Sequence, residues 1–109
     1  MTEADIYLRL SALAGGKVFP YVAPQGTAAP WVIYLLPSSS SEDVFCGPAE
    51  TVQTIQIDAW ATSIDEARAL REQVKEALFD LHPVGLNELN SYEFDTALYR
   101  ATLEVLIWQ

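Results

Sequence analysis

The chain has 109 residues, half of them hydrophobic, and it carries 15 acidic against 6 basic side chains, a formal charge of −9. This length predicts a single domain over residues 1–109, and this hydrophobic fraction excludes disorder for most of it. The negative charge repels phosphate backbones, which argues against a protein that grips nucleic acid, although a surface that DNA slides past is compatible with it.

Cellular location is indicated by what the sequence lacks. No apolar run approaches the roughly 20 residues that a membrane-spanning helix needs, so we expect a soluble protein without membrane contact. The N-terminus does not resemble a signal peptide, which argues against export. The single cysteine, Cys46, cannot form an internal disulfide, which fits a reducing cytoplasm or a particle assembled there.

The N-terminal third predicts a helix and two strands. Thr2 with Asp5 gives a weak capping signal, and Gly15 and Gly16 stop the amphipathic pattern that follows, so we predict a helix over residues 3–14. Because proline removes a main-chain donor, the following residues 18–22 can form only an edge strand or an extended arm. Residues 31–36, WVIYLL, are apolar on both sides, a pattern typical of a strand covered on both faces.

Residues 37–50 are serine-rich and acidic, and we predict a loop of about 14 residues, longer than most connections. A strand should follow, because residues 54–61 alternate between apolar and polar side chains. Ser63 and Glu66 form a capping box that begins a second amphipathic helix, which ends before Pro83.

Two further strands are predicted at the C-terminus, a weakly alternating one over residues 84–95 and a long one over residues 98–108. The element order is therefore α-β-β-β-α-β-β. The simplest packing is an α+β fold, a mainly antiparallel sheet of four to five strands with two helices on one face.

Residues able to carry chemistry are few. His82 precedes a proline at a helix end, and Cys46 lies in the predicted loop without a basic neighbour, so neither has a recognisable catalytic partner. The sequence shows no zinc-ligand spacing, EF-hand or phosphate-binding loop. We therefore predict no catalytic residues, no metal and no cofactor; a hydrolase using Cys46 and His82 is the weakest hypothesis.

An apolar sheet face without a covering helix is the main functional signal. If both helices lie on one face, the other carries aromatic and aliphatic side chains among polar ones, which is typical of an assembly interface. We predict a subunit interface formed by Trp60, Leu98, Arg100, Leu106, Trp108, Gln56 and Asp58. Beside them we expect Val32, Tyr34 or Leu36. The alternative is that the first helix crosses the sheet and covers this face.

Three segments together resemble a known family. They are GGKVFPYVAPQGTAAPWVIY at residues 15–34, QIDAWATSIDEARALREQV at residues 56–74 and DTALYRATLEVLIW at residues 95–108. In this order they resemble small phage tail completion proteins, the tail terminator group, which are often described only as a domain of unknown function. The similarity covers nearly the whole chain, except the loop at residues 37–50.

The resemblance implies a non-enzymatic virion protein. Members of this group form a ring, commonly of six subunits, at the head-proximal end of the tail tube, where they stop tube growth and join the head connector or stopper protein. It thus implies assembly in the host cytoplasm, self-association, contact with the tail tube protein, and DNA passing through the channel without specific binding. We further expect the predicted loop to contact the tube or a neighbouring subunit through Ser39, Ser40, Asp43, Val44 and Phe45.

A second class of function stays open from the residues alone. The chain could be a small ferredoxin-like ligand-binding or regulatory module, with a pocket between the proline-rich arm and Trp31. A ring seen by native mass spectrometry would favour the tail protein, and a ligand-induced melting shift would favour the module.

Overall fold

A computed structural model of the chain describes residues 2–42 and 50–108. Two α-helices and five strands follow one another in an order that agrees with the prediction. They are α1 (Glu3–Leu10), β1 (Val18–Pro20), β2 (Trp31–Glu42), β3 (Glu50–Ala61), α2 (Ile64–Ala77), β4 (Val84–Glu93) and β5 (Leu98–Trp108), with short 3₁₀ turns at Leu13–Gly16 and Phe79–Leu81.

Both helices begin at the predicted caps. The Thr2 main-chain amide donates to Asp5 Oδ2 at 2.9 Å, and the Glu66 amide donates to Ser63 Oγ at 3.1 Å. Helix α1 is shorter than predicted and ends at Leu10. The helical conformation cannot reach the predicted end at residue 14, because Ala14, before the glycines, already has a left-handed φ of 50°.

The five strands form one mixed sheet in the order β1-β2-β3-β5-β4. All neighbours pair antiparallel except β1 and β2, which run parallel. As predicted, the segment with Pro20 lies at an edge, where the missing amide proton does not interrupt a ladder. The predicted α+β fold with a mainly antiparallel sheet is therefore confirmed.

Both helices pack on the same face of the sheet, so the alternative in which the first helix covers the second face is wrong. Ile6 and Leu10 of α1 join one core cluster with Leu70 and Val74 of α2. The sheet contributes inward side chains from four strands to this cluster: Val18, Val32, Tyr34, Ile55, Ile57, Ala59, Ala61, Ala101, Leu103, Val105 and Ile107. The opposite side of the sheet, here called the outer face, has no helix on it within the described residues.

The orientation of β2 corrects one expectation. Val32 and Tyr34 point into the core and not toward the predicted interface. The outer face instead receives Trp31, Ile33 and Leu35, because their register partners on β3 are Trp60, Asp58 and Gln56. Residues directly opposite in an antiparallel pair share a face, so the register decides which half of WVIYLL lies beside the tryptophan of β3.

The segment predicted as a loop is strand at its described ends. Strand β2 continues to Glu42 and β3 begins at Glu50, with Ser38 opposite Thr54. The ladder is irregular only between Leu35 and Ser38, where a bulge accommodates a proline that would otherwise break the pairing. The predicted contact residues Asp43, Val44 and Phe45 lie outside the described residues.

Candidate functional site

The seven residues predicted as a subunit interface share the outer face. All are even-numbered positions of β3 and β5, opposite in direction to the core residues of the same strands. They do not form one compact cluster. Trp60 pairs with Arg100, whereas Leu106 pairs with Thr54, six residues further along the strand, which is about 20 Å.

A groove lies at the Trp60 end of the outer face and is called here the tryptophan groove. The rings of Trp31 and Trp60 stack with their centroids 6.0 Å apart, and the Arg100 guanidinium carbon lies 5.3 Å from the Trp60 ring centroid. The groove has a volume of about 340 Å³. Its lining also includes Tyr21, Val22, Ala23, Ile33, Asp58, Glu93 and Thr96.

Arg100 is held by more than the aromatic ring. Its Nε donates to Ser91 Oγ of the neighbouring strand β4 at 3.0 Å. Among the described residues it forms no ion pair with a carboxylate. Its two Nη groups can therefore donate to an acceptor from another molecule, a geometry that suits a carboxylate.

The polar centre of the outer face consists of a buried pair. Thr102 Oγ1 donates to Asp58 Oδ1 at 2.6 Å, and Gln56 Nε2 lies 3.4 Å from Asp58 Oδ2. Asp58 and Thr102 are both buried, although neither belongs to the hydrophobic core. Because both carboxylate oxygens already accept hydrogen bonds, the pair links β3 to β5 and is not arranged as a free catalytic acid.

The far end of the outer face is apolar. Leu106 is 36% and Trp108 is 49% exposed, and Val84 of β4 lies beside them, opposite Leu106. Gly85 is required next to this end, because its φ is +64° and an added Cβ would lie 3.3 Å from Leu106 Cδ1. This end offers an indole and aliphatic surface to a partner.

A second surface, on the helix side, was missed by the sequence analysis. Phe79 follows α2 and is 75% exposed, while Glu72 and Glu76 lie on the exposed side of the helix before it. These three residues are called here the Phe79 knob, and Phe79 lies outside the apolar stripe of Ala67, Leu70, Val74 and Leu78 that the helix buries. A large apolar residue outside the stripe was the signal that could have identified it.

The residues considered for catalysis are not brought together. His82 is exposed and has a left-handed φ of 53°, and Cys46 lies outside the described residues. Within residues 2–42 and 50–108, no group of three His, Cys, Asp or Glu side chains could hold a metal ion. In the same part of the chain no helix is long and apolar enough to cross a membrane.

The remaining predicted contact residues lie on the β2–β3 hairpin. Ser39 is an exposed residue of β2 opposite Gln53, and Ser40 follows it in the ladder opposite Val52. Both are far from the tryptophan groove, because Trp31 stands at the other end of the same 12-residue strand.

Comparison with known proteins identifies one family. A family model described as tail completion protein gp17 matches residues 8–109. No curated protein sequence matches the chain. Among solved structures, a chain of the virion of a native gene transfer agent (GTA) particle has the same fold, with a TM-score of 0.71 and 18% sequence identity, over 95% of this chain and 92% of that chain.

Proposed function

The chain belongs to the tail completion protein gp17 family, and from this we propose that it forms a ring on the head-proximal end of a tail tube. In this role the ring stops tube growth and provides the surface that the head connector or stopper protein joins. The subunit would be assembled in the host cytoplasm and carried in the virion. The same fold in a gene transfer agent virion chain supports this proposal.

The outer face is the observation that supports the proposal of a ring. It leaves three tryptophans, an arginine and several aliphatic side chains without a covering helix among the described residues. Tryptophan and arginine dominate the binding free energy of protein interfaces when partners bury them. We therefore propose that Trp60, Arg100 and Trp108 contact neighbouring subunits, with Gln56, Asp58, Leu98 and Leu106 around them.

The charge of the chain suits a channel for DNA. A ring of six copies would carry a formal charge of roughly −54, which is six times −9. Such a surface repels phosphates, so DNA would pass the ring without binding specifically. The contact with the tube is proposed for the β2–β3 hairpin, through Ser39, Ser40, Asp43, Val44 and Phe45.

One observation favours a second function. The tryptophan groove is lined by the proline-rich arm at Tyr21, Val22 and Ala23 together with Trp31, as a ligand-binding module would require. The family match supports assembly instead. A small-molecule screen by thermal shift that finds a ligand lost in Trp31→Ala, in a protein that remains monomeric, would favour the module.

The experiment is a measurement of assembly with tail-tube subunits added and withheld. Native mass spectrometry and negative-stain microscopy should show rings of the wild-type chain that cap tubes at a defined length. Trp60→Ala and Trp108→Ala should stay folded and assemble poorly, whereas the control Leu8→Ala, which removes a 75% exposed side chain from α1, should assemble normally. A wild-type chain that stays monomeric with tubes present would refute the ring.

The proposed role is non-enzymatic, which can be tested separately. Because His82 and Cys46 have no recognisable partner set in the sequence, the double substitution to Ala should leave folding, ring formation and particle infectivity unchanged. A normally folded double variant that yields rings but no infectious particles would contradict a purely structural role.

A further inference from the structure

We propose that the Phe79 knob of one copy binds in the tryptophan groove of the next copy around the ring. This inference rests on the ring proposed above and names the two surfaces that form each subunit contact. Three observations carry it: the excess acidic charge of the knob, the arginine of the groove, and the positions of the two on different sides of the molecule.

The knob is electrostatically unfavourable in the isolated subunit. Glu72 and Glu76 are four residues apart on one helix, where like charges repel, and Glu76 also lies near the negative end of α2. Lys75 Nζ pairs with Glu72 at 3.2 Å and with Glu88 at 2.9 Å, but Glu76 forms no ion pair within the described residues. A cation from another molecule would relieve this repulsion.

Phe79 adds an apolar anchor to this acidic surface. Its ring is 75% exposed, next to a shallow depression lined by Glu72, Lys75 and Glu76. An exposed aromatic side chain beside the Glu76 carboxylate, which has no ion pair among the described residues, suits a partner that offers apolar surface and a basic side chain.

The tryptophan groove has the complementary features. The stacked rings of Trp31 and Trp60 provide apolar surface for a phenyl ring, and Arg100 stands over Trp60 with no carboxylate partner among the described residues. Two acids also line the groove. Asp58 already accepts hydrogen bonds from Thr102 and Gln56, so Glu93 is the acid that restricts how the knob can bind. The knob must approach with Glu76 toward Arg100 and away from Glu93.

The two surfaces cannot meet within one copy. The groove opens on the outer face, whereas α2 and Phe79 lie on the helix side of the same sheet. A contact between different patches of identical chains is heterologous, and such contacts close into a ring when the rotation permits. The ion pair that Glu76 can form with Arg100, together with the opposite placement of the two surfaces, thus favours a second copy as the occupant.

The test is a complementation between two variants. Phe79→Ala keeps an intact groove and Trp60→Ala keeps an intact knob, so each alone should assemble about tenfold more weakly than wild type or worse. Mixed in equal amounts, they should form a 1:1 dimer through the one intact contact and no ring, measured by native mass spectrometry. Circular dichroism and melting temperatures show whether each variant is folded. If Trp60→Ala does not fold, Arg100→Glu replaces it as the groove variant.

Charge reversal tests the orientation. Arg100→Glu should abolish rings, and the combined Arg100→Glu, Glu76→Arg chain should regain them, whereas Glu93→Gln should assemble at least as well as wild type.

If wild-type rings form and the knob variants assemble as wild type does, this inference is overturned and the ring stands. If groove variants form normal rings but fail to cap tubes, the occupant is the tube and the inference is also overturned. A wild-type chain without rings refutes the proposed function itself.

Discussion

Arg71 of α2 donates from Nη1 to the main-chain oxygen of Leu89 in β4, over 2.9 Å. The same nitrogen also donates to Asn90 Oδ1 at 2.8 Å, and the side chain is 7% exposed. All ten residues of β4 are exposed, so this edge strand has little apolar burial of its own. The arginine therefore links β4 to the helix layer. Strand β4 in turn positions Arg100 through the hydrogen bond with Ser91.

Replacing Arg71 should loosen this edge. We expect Arg71→Met to lower the free energy of unfolding by about 2 kcal/mol, because hydrogen bonds from a charged donor are lost, and to speed amide hydrogen exchange in β4. Urea denaturation and hydrogen exchange measure the two effects. Arg68→Met, at an exposed position of the same helix, is the matched control and should change stability by less than about 0.5 kcal/mol. If both substitutions changed stability and hydrogen exchange equally, Arg71 would not be what holds β4 to the helix layer.

The start of α2 depends on one hydroxyl. Ser63→Ala removes the acceptor of the Glu66 amide and should destabilise the chain by about 1 kcal/mol, since the amide is left without its cap. Thr62→Ala, one residue earlier and exposed, is the control and should be near neutral. A denaturation midpoint that is the same for both variants would show that the cap does not limit stability.

Acid should weaken the contact between α1 and the end of α2. Arg9 donates to both carboxylate oxygens of Asp80, at 3.2 and 3.1 Å, and these hydrogen bonds lower the pKa of Asp80 from its usual 3.8. Since the folded-state pKa is the lower one, the pair stabilises the fold above the unfolded-state value, and this contribution is lost as the pH falls through the folded-state value.

The stability of Asp80→Asn should therefore fall less steeply with pH than that of wild type below about pH 4. Urea midpoints measured across this range give the comparison. Asp95→Asn, in the turn before β5, is the control, because Asp95 forms no ion pair within the described residues. Parallel curves for wild type and Asp80→Asn would mean that water screens the exposed pair completely.

The tip of the β2–β3 hairpin should matter for the tube and not for folding. Replacing residues 43–49 by a short Gly-Ser link removes Val44 and Phe45, the proposed apolar contacts, while both strands keep their register. We expect an unchanged melting temperature and rings that no longer cap tubes, scored by tube length in negative-stain images. Tubes that terminate at their normal length would leave this tip without the proposed role.

Local patterns in the sequence predicted much of the fold. The capping boxes at Thr2 and Ser63, the switch from period two to helical spacing, and the proline at the edge strand each depend on neighbouring residues alone. The side of β3 and β5 that carries Trp60, Arg100 and Trp108 was predicted for the same reason, because alternation along a strand is a local property.

Other features depend on pairing between distant residues and were decided only in the tertiary structure. The register of Trp31 with Trp60 determined which side of β2 joins the outer face, and pairing of Ser38 with Thr54 extended strand into the first part of the predicted loop. Phe79 is exposed because it follows the end of α2, outside the apolar stripe that the helix packs against β3 and β5. Cross-strand register and helix placement follow from the packing of the whole core, and a polar serine run or a single phenylalanine carries no local sign of them.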